Sequence, residues 1–270
     1  MIQKRGENLQ IPKMAYLCFD QKVHKMFKDK IKWFNVIDST NNEAYRNLST
    51  SPHGTVWAAR FQTAGRGQKG NKWESAAGEN LMFSILLHPA FLPAVKQFVI
   101  SEIVALSVCD LLESWEIEAT IKWPNDVYVG DKKILGVLIE HFLSGTNLSA
   151  SIVGIGLNLN QTHFRSDAPN PTSVLLETGQ KKIPEDVLIT LLDILFLRYE
   201  QAEQGYVQEI EDAYCARLYR LHQWKRYVRC SDHTEFEGYI TGIDNLGCLK
   251  VLLRNGKEEV FSFKEIQFKR

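Results

Sequence analysis

The segment that decides the fold is QTAGRGQKGNKW, residues 62–73. Its glycines at positions 65, 67 and 70 satisfy the spacing G-x-G-x-x-G, which in dinucleotide-binding domains follows a strand and opens a helix. A strand-like run, residues 55–62, precedes the segment, but polar sequence and then a second apolar run, residues 81–88, come after it. The sequence therefore predicts a glycine-rich loop between two strands and not a Rossmann-type turn.

This loop combines free backbone N–H groups with the cations Arg66, Lys69 and Lys72. Successive backbone N–H groups can surround an anion, so an anion-binding loop is one interpretation. A solvated surface loop is the other, and the loop alone does not separate them. Trp73, which we expect to be exposed, favours a binding role because an aromatic side chain with nothing to pack against is costly.

A second segment carries polar chemistry on a strand hairpin. Lys122-Trp123-Pro124-Asn125-Asp126 is followed by the turn Gly130-Asp131 and then by Lys133 and Gly136. Lys122 lies on an otherwise apolar strand, where a lysine is unusual because charged side chains are rarely buried without a partner. Two lysines on one hairpin could neutralise carboxylate and phosphate oxygens, and Asp126 could accept a proton or bind Mg²⁺. Ordinary surface Lys–Asp pairs would explain the same residues.

Two further segments have a structural and a functional interpretation. Gly154-x-Gly156-x-Asn158 ends an apolar strand, where glycines let a ligand approach closely, although a bulge followed by a turn asparagine explains them as well. Thr40 with Glu43 fits a capping box that opens a helix through Leu48. Capping does not exclude function, because one residue can cap a helix while its neighbour faces a pocket.

The remaining pattern predicts an α/β chain followed by a small β domain. Further strands are expected at residues 31–37, 119–123, 127–129, 133–142 and 148–157, and helices after residue 93 to Trp115, at 184–199 and at about 206–221. From Trp224, short β-rich runs at 225–230, 235–243, 248–254, 258–263 and 266–268 have the size of an SH3-like barrel, and Asn255-Gly256 is a strong hairpin signal. The predicted units are therefore a basic extension without an assigned role (1–30), a catalytic domain (31–222) and the barrel (223–270).

The composition is that of a globular protein, with 44% hydrophobic and 24% charged residues among 270, which excludes a disordered chain. Lys+Arg 32 balance Asp+Glu 32, so a global positive field that would hold nucleic acid is excluded. Five scattered cysteines without a CxxC pair predict neither a disulfide framework nor a zinc site. No signal peptide or membrane-length apolar run is present, so we expect a cytoplasmic protein without a membrane or a resident metal.

Taken together, these segments resemble those of the biotin–protein ligases (biotin–[acetyl-CoA-carboxylase] ligases). The matching residues are Asp38-Ser39-Thr40-Asn41, Gln62-Thr63-Ala64-Gly65-Arg66-Gly67, Gly70-Asn71-Lys72-Trp73, Lys122-Trp123-Pro124-Asn125-Asp126, Lys133-x-x-Gly136 and Gly154-x-Gly156-x-Asn158. They occur in the order of the family, from Ile31 onward. The resemblance implies an α/β (α+β) catalytic domain with a mixed sheet, like that of class II aminoacyl-tRNA synthetases, and a C-terminal SH3-like β-barrel.

The resemblance also implies the reaction and its partners. Biotin and ATP, with Mg²⁺, would give biotinyl-5′-AMP, and a lysine of the biotin carboxyl carrier domain of a carboxylase would then take the biotinyl group. Lys133 and Arg66 would offset the repulsion between carboxylate and α-phosphate, with Lys122 supporting them and Asp126 orienting the attacking lysine. The implied biotin site is Ser39, Thr40, Asn41, Gln62, Gly65, Arg66, Gly67, Gln68, Trp73, Lys133, Gly136 and Leu138. The implied ATP and adenylate site is Arg66, Lys69, Asn71, Trp73, Lys122, Asn125, Lys133, Gly154, Gly156 and Asn158.

The chain departs from the family pattern in two ways. Gln68 stands where many members carry an arginine that helps hold the adenylate, so retention of the intermediate is expected to differ. The residues before the catalytic domain show no helix-turn-helix pattern, so we expect no operator DNA binding; the resemblance allows a homodimer. Two alternatives stay open: a lipoate or octanoate ligase, although its arginine-rich and Gly-Gly-Gly segment is missing, and an inactive interaction module.

Overall fold

The computed structural model describes residues 29–68, 71–165 and 170–269. The expectations for residues 1–28, Lys69 and Gly70 lie outside these described residues. Within them, no helix is long and apolar enough to cross a membrane.

A seven-stranded sheet forms the larger part of the molecule, in the order β1-β2-β3-β7-β6-β5-β4. β1 and β2 are parallel, and the other neighbours are antiparallel, so the sheet is mixed as predicted. The glycine-rich loop joins β2 to β3, as the sequence pattern predicted. The strands are β1 (Ile31–Phe34), β2 (Val56–Ala59), β3 (Leu81–Leu87), β4 (Thr120–Lys122), β5 (Asp126–Val129), β6 (Lys132–Ser144) and β7 (Asn147–Leu157).

Helices cover this sheet and bury its apolar side chains. They are α1 (Thr40–Arg46), α2 (Phe98–Glu113), α3 (Val174–Thr178), α4 (Pro184–Glu203) and α5 (Val207–Ala216). α2 is buried along most of its length and packs against α4 and α5, so its apolar sequence forms the centre of the core. α4 begins with Pro184 in its first turn, followed by Glu185 and Asp186, an arrangement that suits the positive end of the helix dipole.

The C-terminal region forms a second, antiparallel sheet of five strands, in the order β11-β10-β9-β8-β12. Gly256 adopts a φ of 81° in the turn that joins the strand ending at Leu253 to the strand beginning at Glu258, where the sequence predicted a hairpin. The fold class is therefore confirmed, while the division between residues 222 and 223 stays a prediction. The strands are β8 (Trp224–Arg229), β9 (Glu235–Ile243), β10 (Leu249–Leu253), β11 (Glu258–Phe261) and β12 (Ile266–Phe268).

Two local expectations were wrong, and one helix was not anticipated. The N-cap of α1 is Ser39 without a side-chain cap bond, and the Glu43 carboxylate accepts from Arg46 instead, so there is no capping box at Thr40. The helix expected to reach residue 221 ends at Ala216, because the chain beyond it pairs with β4 through the backbone. The short helix α3 has no counterpart among the expected elements, since five residues are too few to show a helical period.

Candidate active site

A cavity of about 670 Å³ opens between the seven-stranded sheet, the glycine-rich loop and the edge of the second sheet. The segments that carried polar chemistry in the sequence meet here, although they are far apart along the chain. The predicted site residues on its wall are Ser39, Thr40, Asn41, Gln62, Arg66, Gly67, Gln68, Asn71, Trp73, Lys122, Asn125, Asp126, Lys133, Gly136, Leu138, Gly154 and Gly156.

Two predicted site residues are not on this wall. Gly65 is buried within the loop, where its carbonyl accepts from the backbone N–H of Trp73 at 3.1 Å. Asn158 is buried too, and its side-chain N–H donates to the carbonyl of Thr172 at 2.9 Å. Asn158 therefore braces the segment before α3, and the cavity geometry does not support its predicted contact with adenine or ribose.

The glycine-rich loop folds back on itself through short-range backbone bonds. The N–H of Gly67 donates to the carbonyl of Asn71 at 3.1 Å, and the N–H of Asn71 donates to the carbonyl of Gln68 at 2.8 Å. The side chain of Gln68 then donates to Asn125 at 3.1 Å, which joins the loop to the segment between β4 and β5. The loop is thus held over the cavity from its middle as well as its ends.

Glycines on the floor of the cavity make room for the indole of Trp73. Gly136 and Gly156 are paired across β6 and β7, and a Cβ at Gly156 would come within 2.4 Å of the indole ring. A Cβ at Gly136 would come within 2.7 Å of it. Trp73 is therefore half-buried against the sheet, which corrects the expectation that it is exposed. Its indole N–H has no hydrogen-bond partner in the described part of the chain.

One end of the cavity presents uncharged polar groups. The backbone N–H of Thr40 donates to the Gln62 side-chain oxygen at 2.8 Å. The buried hydroxyl of Ser84 donates its single proton to Oδ1 of Asn41 at 2.6 Å, and its oxygen lies 2.8 Å from the hydroxyl oxygen of Thr40. Gly154 is needed beside them, because a Cβ there would lie 2.0 Å from the Asn41 amide oxygen. This end suits a polar, uncharged ligand ring.

The other end is cationic. The ammonium of Lys133 lies 2.7 Å from the carboxylate of Asp126, and both side chains are 24% exposed. The ammonium of Lys122 donates to the hydroxyl of Tyr128 at 3.0 Å and lies 5.4 Å from the ring centroid of Phe268. Both lysines are therefore held at the wall by a neighbour of opposite charge or by an aromatic ring.

Arg66 is fixed by partners that the sequence did not point to. Its guanidinium forms a two-pronged ion pair with Glu140, at 2.7 and 3.1 Å, and donates to Asn42 at 3.0 Å. Glu140 shares a face of β6 with Gly136 and Leu138, because side chains alternate along a strand. That alternation is the signal that could have identified it.

Helix α5 and the second sheet support the cavity, and the second sheet completes its wall. The indole N–H of Trp123 donates to the carbonyl of Gly247 at 2.8 Å, and the hydroxyl of Tyr214 donates to the carbonyl of Pro124 at 2.8 Å. Burial raises the pKa of Tyr214 well above its ordinary value, so its hydroxyl stays a donor. The second sheet and its connections contribute wall residues that were not predicted, namely Cys230, Lys264, Ile266, Gln267 and Phe268.

No group of three or more metal-binding side chains occurs within residues 29–68, 71–165 and 170–269. Asp126 is the single carboxylate among the described residues of the cavity wall. One carboxylate is too few for a protein-held cation, but it fits an ion such as Mg²⁺ that keeps most of its oxygen ligands from phosphates and water.

The fold and the cavity can be compared with those of known protein families. Residues 33–158 match the Biotin/lipoate A/B protein ligase family. The chain is 35% identical over 221 residues to the biotin–[acetyl-CoA-carboxylase] ligase of Paracoccus denitrificans, covering 78% of this chain and 90% of that protein. It is 34% identical over 238 residues to the bifunctional ligase/repressor BirA of Bacillus subtilis, covering 85% of this chain and 71% of that protein.

The chain is also similar in fold to solved structures of biotin protein ligases. The biotin protein ligase of Aquifex aeolicus in complex with biotin and ATP is 28% identical to this chain, with a TM-score of 0.74, and the match covers 89% of this chain and 99% of that one. This chain belongs to the biotin protein ligase family. The resemblance predicted from the sequence is confirmed, and so is the prediction of an enzyme that forms C–N bonds.

Proposed function

We propose that this enzyme activates biotin with ATP, giving biotinyl-5′-AMP and pyrophosphate, and transfers the biotinyl group to a lysine of the biotin carboxyl carrier domain of a carboxylase. The relatives named above support the substrates, because one is a ligase for acetyl-CoA carboxylase and another was solved with biotin and ATP. The cavity supports them independently through the chemistry of its two ends.

The observation that carries the proposal is the pairing of an uncharged polar end with a cationic end in one cavity. The ureido ring of biotin is polar but neutral, and Thr40, Asn41 and Gln62 offer it donors and acceptors. The thioether ring and valeryl chain would lie along Leu138 and the indole of Trp73. The carboxylate would then reach Lys133 at the other end, where the triphosphate of ATP would also be held.

The first step joins two anions. A biotin carboxylate oxygen attacks the α-phosphorus, a new O–P bond forms, and the bond to pyrophosphate breaks. Preorganised donors lower the barrier most when they face the oxygens on which charge develops. One of the three N–H groups of the Lys133 ammonium donates to Asp126, so the other two can donate to the reacting oxygens. Arg66 would face the same oxygens from the loop.

The nucleotide would lie along the hairpin and the loop. Asn71, Asn125 and Lys122 stand on the cavity wall where ribose and phosphates can reach them. Mg²⁺ would screen the charge of the triphosphate, and Asp126 is the oxygen ligand that the wall offers. Because Asp126 also pairs with Lys133, the protein would hold the ion weakly and ATP would bring it.

In the second step the nitrogen of the carrier lysine attacks the acyl carbon, an amide forms, and AMP leaves. The amine must be neutral to attack, and Asp126 is the group placed to accept its proton. The mixed anhydride is sensitive to water, so a loop that covers it protects the intermediate. The bonds of Gln68 and Asn71 described above would keep residues 62–68 and 71–73 over the cavity during the reaction.

We also propose that the enzyme acts in the cytoplasm, where its described cysteines stay free, and that it does not bind operator DNA. A gel shift at moderate salt tests the second point. A sequence-specific shifted band would contradict it.

Mass spectrometry of a carrier domain tests the proposal directly. After incubation with the enzyme, biotin, ATP and MgCl₂, we expect the carrier to gain one biotinyl group on a single lysine. Lipoate in place of biotin serves as the control for the lipoate-ligase alternative and should leave the carrier unmodified. An unmodified carrier with biotin, or modification by lipoate alone, would refute the assignment.

A further inference from the structure

We propose that Glu140 is the residue that positions Arg66 for adenylate formation. The inference rests on the proposed function and adds a residue to it. Glu140 lies on β6, two residues beyond Leu138 and on the same face, but it is not on the cavity wall. It therefore acts through another residue and not on a substrate.

The contacts of Glu140 join the glycine-rich loop to helix α1. One carboxylate oxygen accepts from Arg66 at 2.7 Å, and the other accepts from Arg66 at 3.1 Å and from the amide of Asn41 at 3.0 Å. Asn41 is buried on α1, whereas Arg66 belongs to the glycine-rich loop, and both donate to the same oxygen of Glu140. Glu140 is held by strand β6 and therefore restrains the longer, more flexible side chain of Arg66.

This ion pair is better suited to orientation than to stability. The side chains of Arg66 and Glu140 are 40% and 32% exposed, and pairs so accessible to water contribute little to folding. A two-pronged contact between guanidinium and carboxylate, however, fixes the plane of the guanidinium. Together with the bond from Arg66 to Asn42, it leaves the remaining N–H groups of Arg66 with a defined direction.

Glu140→Gln is the informative substitution. The amide oxygen can still accept from Asn41, so the uncharged end is preserved. The amide NH₂ would face the guanidinium as donor against donor, so the two-pronged contact with Arg66 is lost. We expect the rate of adenylate formation at saturating substrates to fall by roughly tenfold to a hundredfold, because a misplaced catalytic group is costly even when it remains present. Biotin affinity should change by less than about twofold.

A double-mutant cycle separates positioning from a general structural role. Adenylate formation is measured for the wild type, Glu140→Gln, Arg66→Ala and the double variant. If Glu140 acts through Arg66, Glu140→Gln has little further effect once Arg66 is absent, within about twofold. Additive losses would overturn the proposal. Glu237→Gln, which breaks the surface pair with Arg254 on the second sheet, is the matched control and should keep full activity.

A second measurement does not depend on activity. Trypsin can cut the loop after Arg66 or Lys72, so the rate of limited cleavage reports how firmly the loop is held. We expect faster cleavage in Glu140→Gln than in the wild type or Glu237→Gln, at an unchanged thermal midpoint. Equal cleavage rates would overturn the proposal. If the wild type makes no adenylate, the proposed function fails, while the cleavage comparison still decides the role of Glu140.

Discussion

Replacing Lys133 by alanine tests the charge assignment at the cationic end of the cavity. Removing one donor to a developing oxyanion typically costs about 2.7–4 kcal/mol, or 10²–10³ in rate. Lys133 is 24% exposed and shares its charge with Asp126 at 2.7 Å, so water and the carboxylate weaken its field. We therefore expect the lower end of this range, a loss of about a hundredfold in adenylate formation.

The same variant should fold normally. Strand β6 is held here by backbone bonds that alanine keeps, from Lys133 to Asn170 and from Thr172 to Lys133, both at 2.8 Å. The lost ion pair is partly exposed and contributes less than about 1 kcal/mol, which lowers the melting temperature by about 3 °C or less. The decisive quantity is therefore a rate, and stability serves as the check on folding.

The assay is single-turnover formation of biotinyl-5′-AMP, followed as pyrophosphate release. The matched control is Lys132→Ala, one residue earlier on the strand, because Lys132 is directed away from the cavity and pairs with Glu177 at 2.5 Å. We expect the control to keep wild-type rates. Near-normal adenylate formation in Lys133→Ala, with both proteins folded, would refute the assignment of Lys133 to charge neutralisation.

Three further perturbations probe the floor, the loop and the core. Gly156→Ala puts a methyl group 2.4 Å from the indole of Trp73, which costs about 1–3 kcal/mol of overpacking. We expect calorimetry to show a biotin dissociation constant raised by roughly tenfold. An unchanged constant would contradict the role of this glycine. Gln68→Arg should slow the release of biotinyl-5′-AMP severalfold in a rapid-dilution assay, because many family members carry an arginine here that helps hold the adenylate. An unaltered release rate would show that residue 68 does not control retention of the adenylate in this chain. Glu102 is buried on α2 and its pKa is raised to about 8, mainly by burial, so the folded state binds more protons than the unfolded state between about pH 4.5 and 8. Stability should therefore fall as the pH rises through this window, and Glu102→Gln should flatten melting temperatures across it; parallel curves would show that Glu102 does not cause the slope.

Elements with a clear local period were predictable from the sequence. The expected strands at residues 235–243 and 266–268 coincide with β9 and β12, and side chains alternate between buried and more exposed along much of β9. The Asn255-Gly256 signal correctly placed the turn between β10 and β11. α3 was not predictable, since its five residues rely on the Ser173 cap and on packing. The expected helix end near residue 221 failed for a related reason, because pairing with β4 replaced helical bonds beyond Ala216.

The same distinction applies to the site. Residues in contiguous motifs, such as the glycine-rich loop and the segment around Asn125, could be identified because neighbours along the chain share one function. Ser84 could not, because it lies within a strand and its hydrogen-bond partners are far away in sequence. Glu140 was missed because its partner Arg66 is also distant, although alternation along β6 places it on the same face as Gly136 and Leu138. The position of Trp73 was misjudged for the same reason, since the glycines that receive its ring come from two other strands.

Three cations of this site are each held by a specific neighbour. Lys133 pairs with Asp126, Arg66 pairs with Glu140, and Lys122 rests against the aromatic ring and hydroxyl of Tyr128. The carboxylates of Asp126 and Glu140 offset the positive charge of Lys133 and Arg66.

They also fix where each donor points before any substrate binds, so little reorganisation is needed when charge develops. A site that attracted two anions by excess charge alone would hold them without aligning them. Joining a carboxylate to a phosphate requires alignment, because the attacking oxygen and the leaving pyrophosphate must lie on opposite sides of phosphorus. The paired cations are therefore the feature that links this fold to acyl-adenylate chemistry.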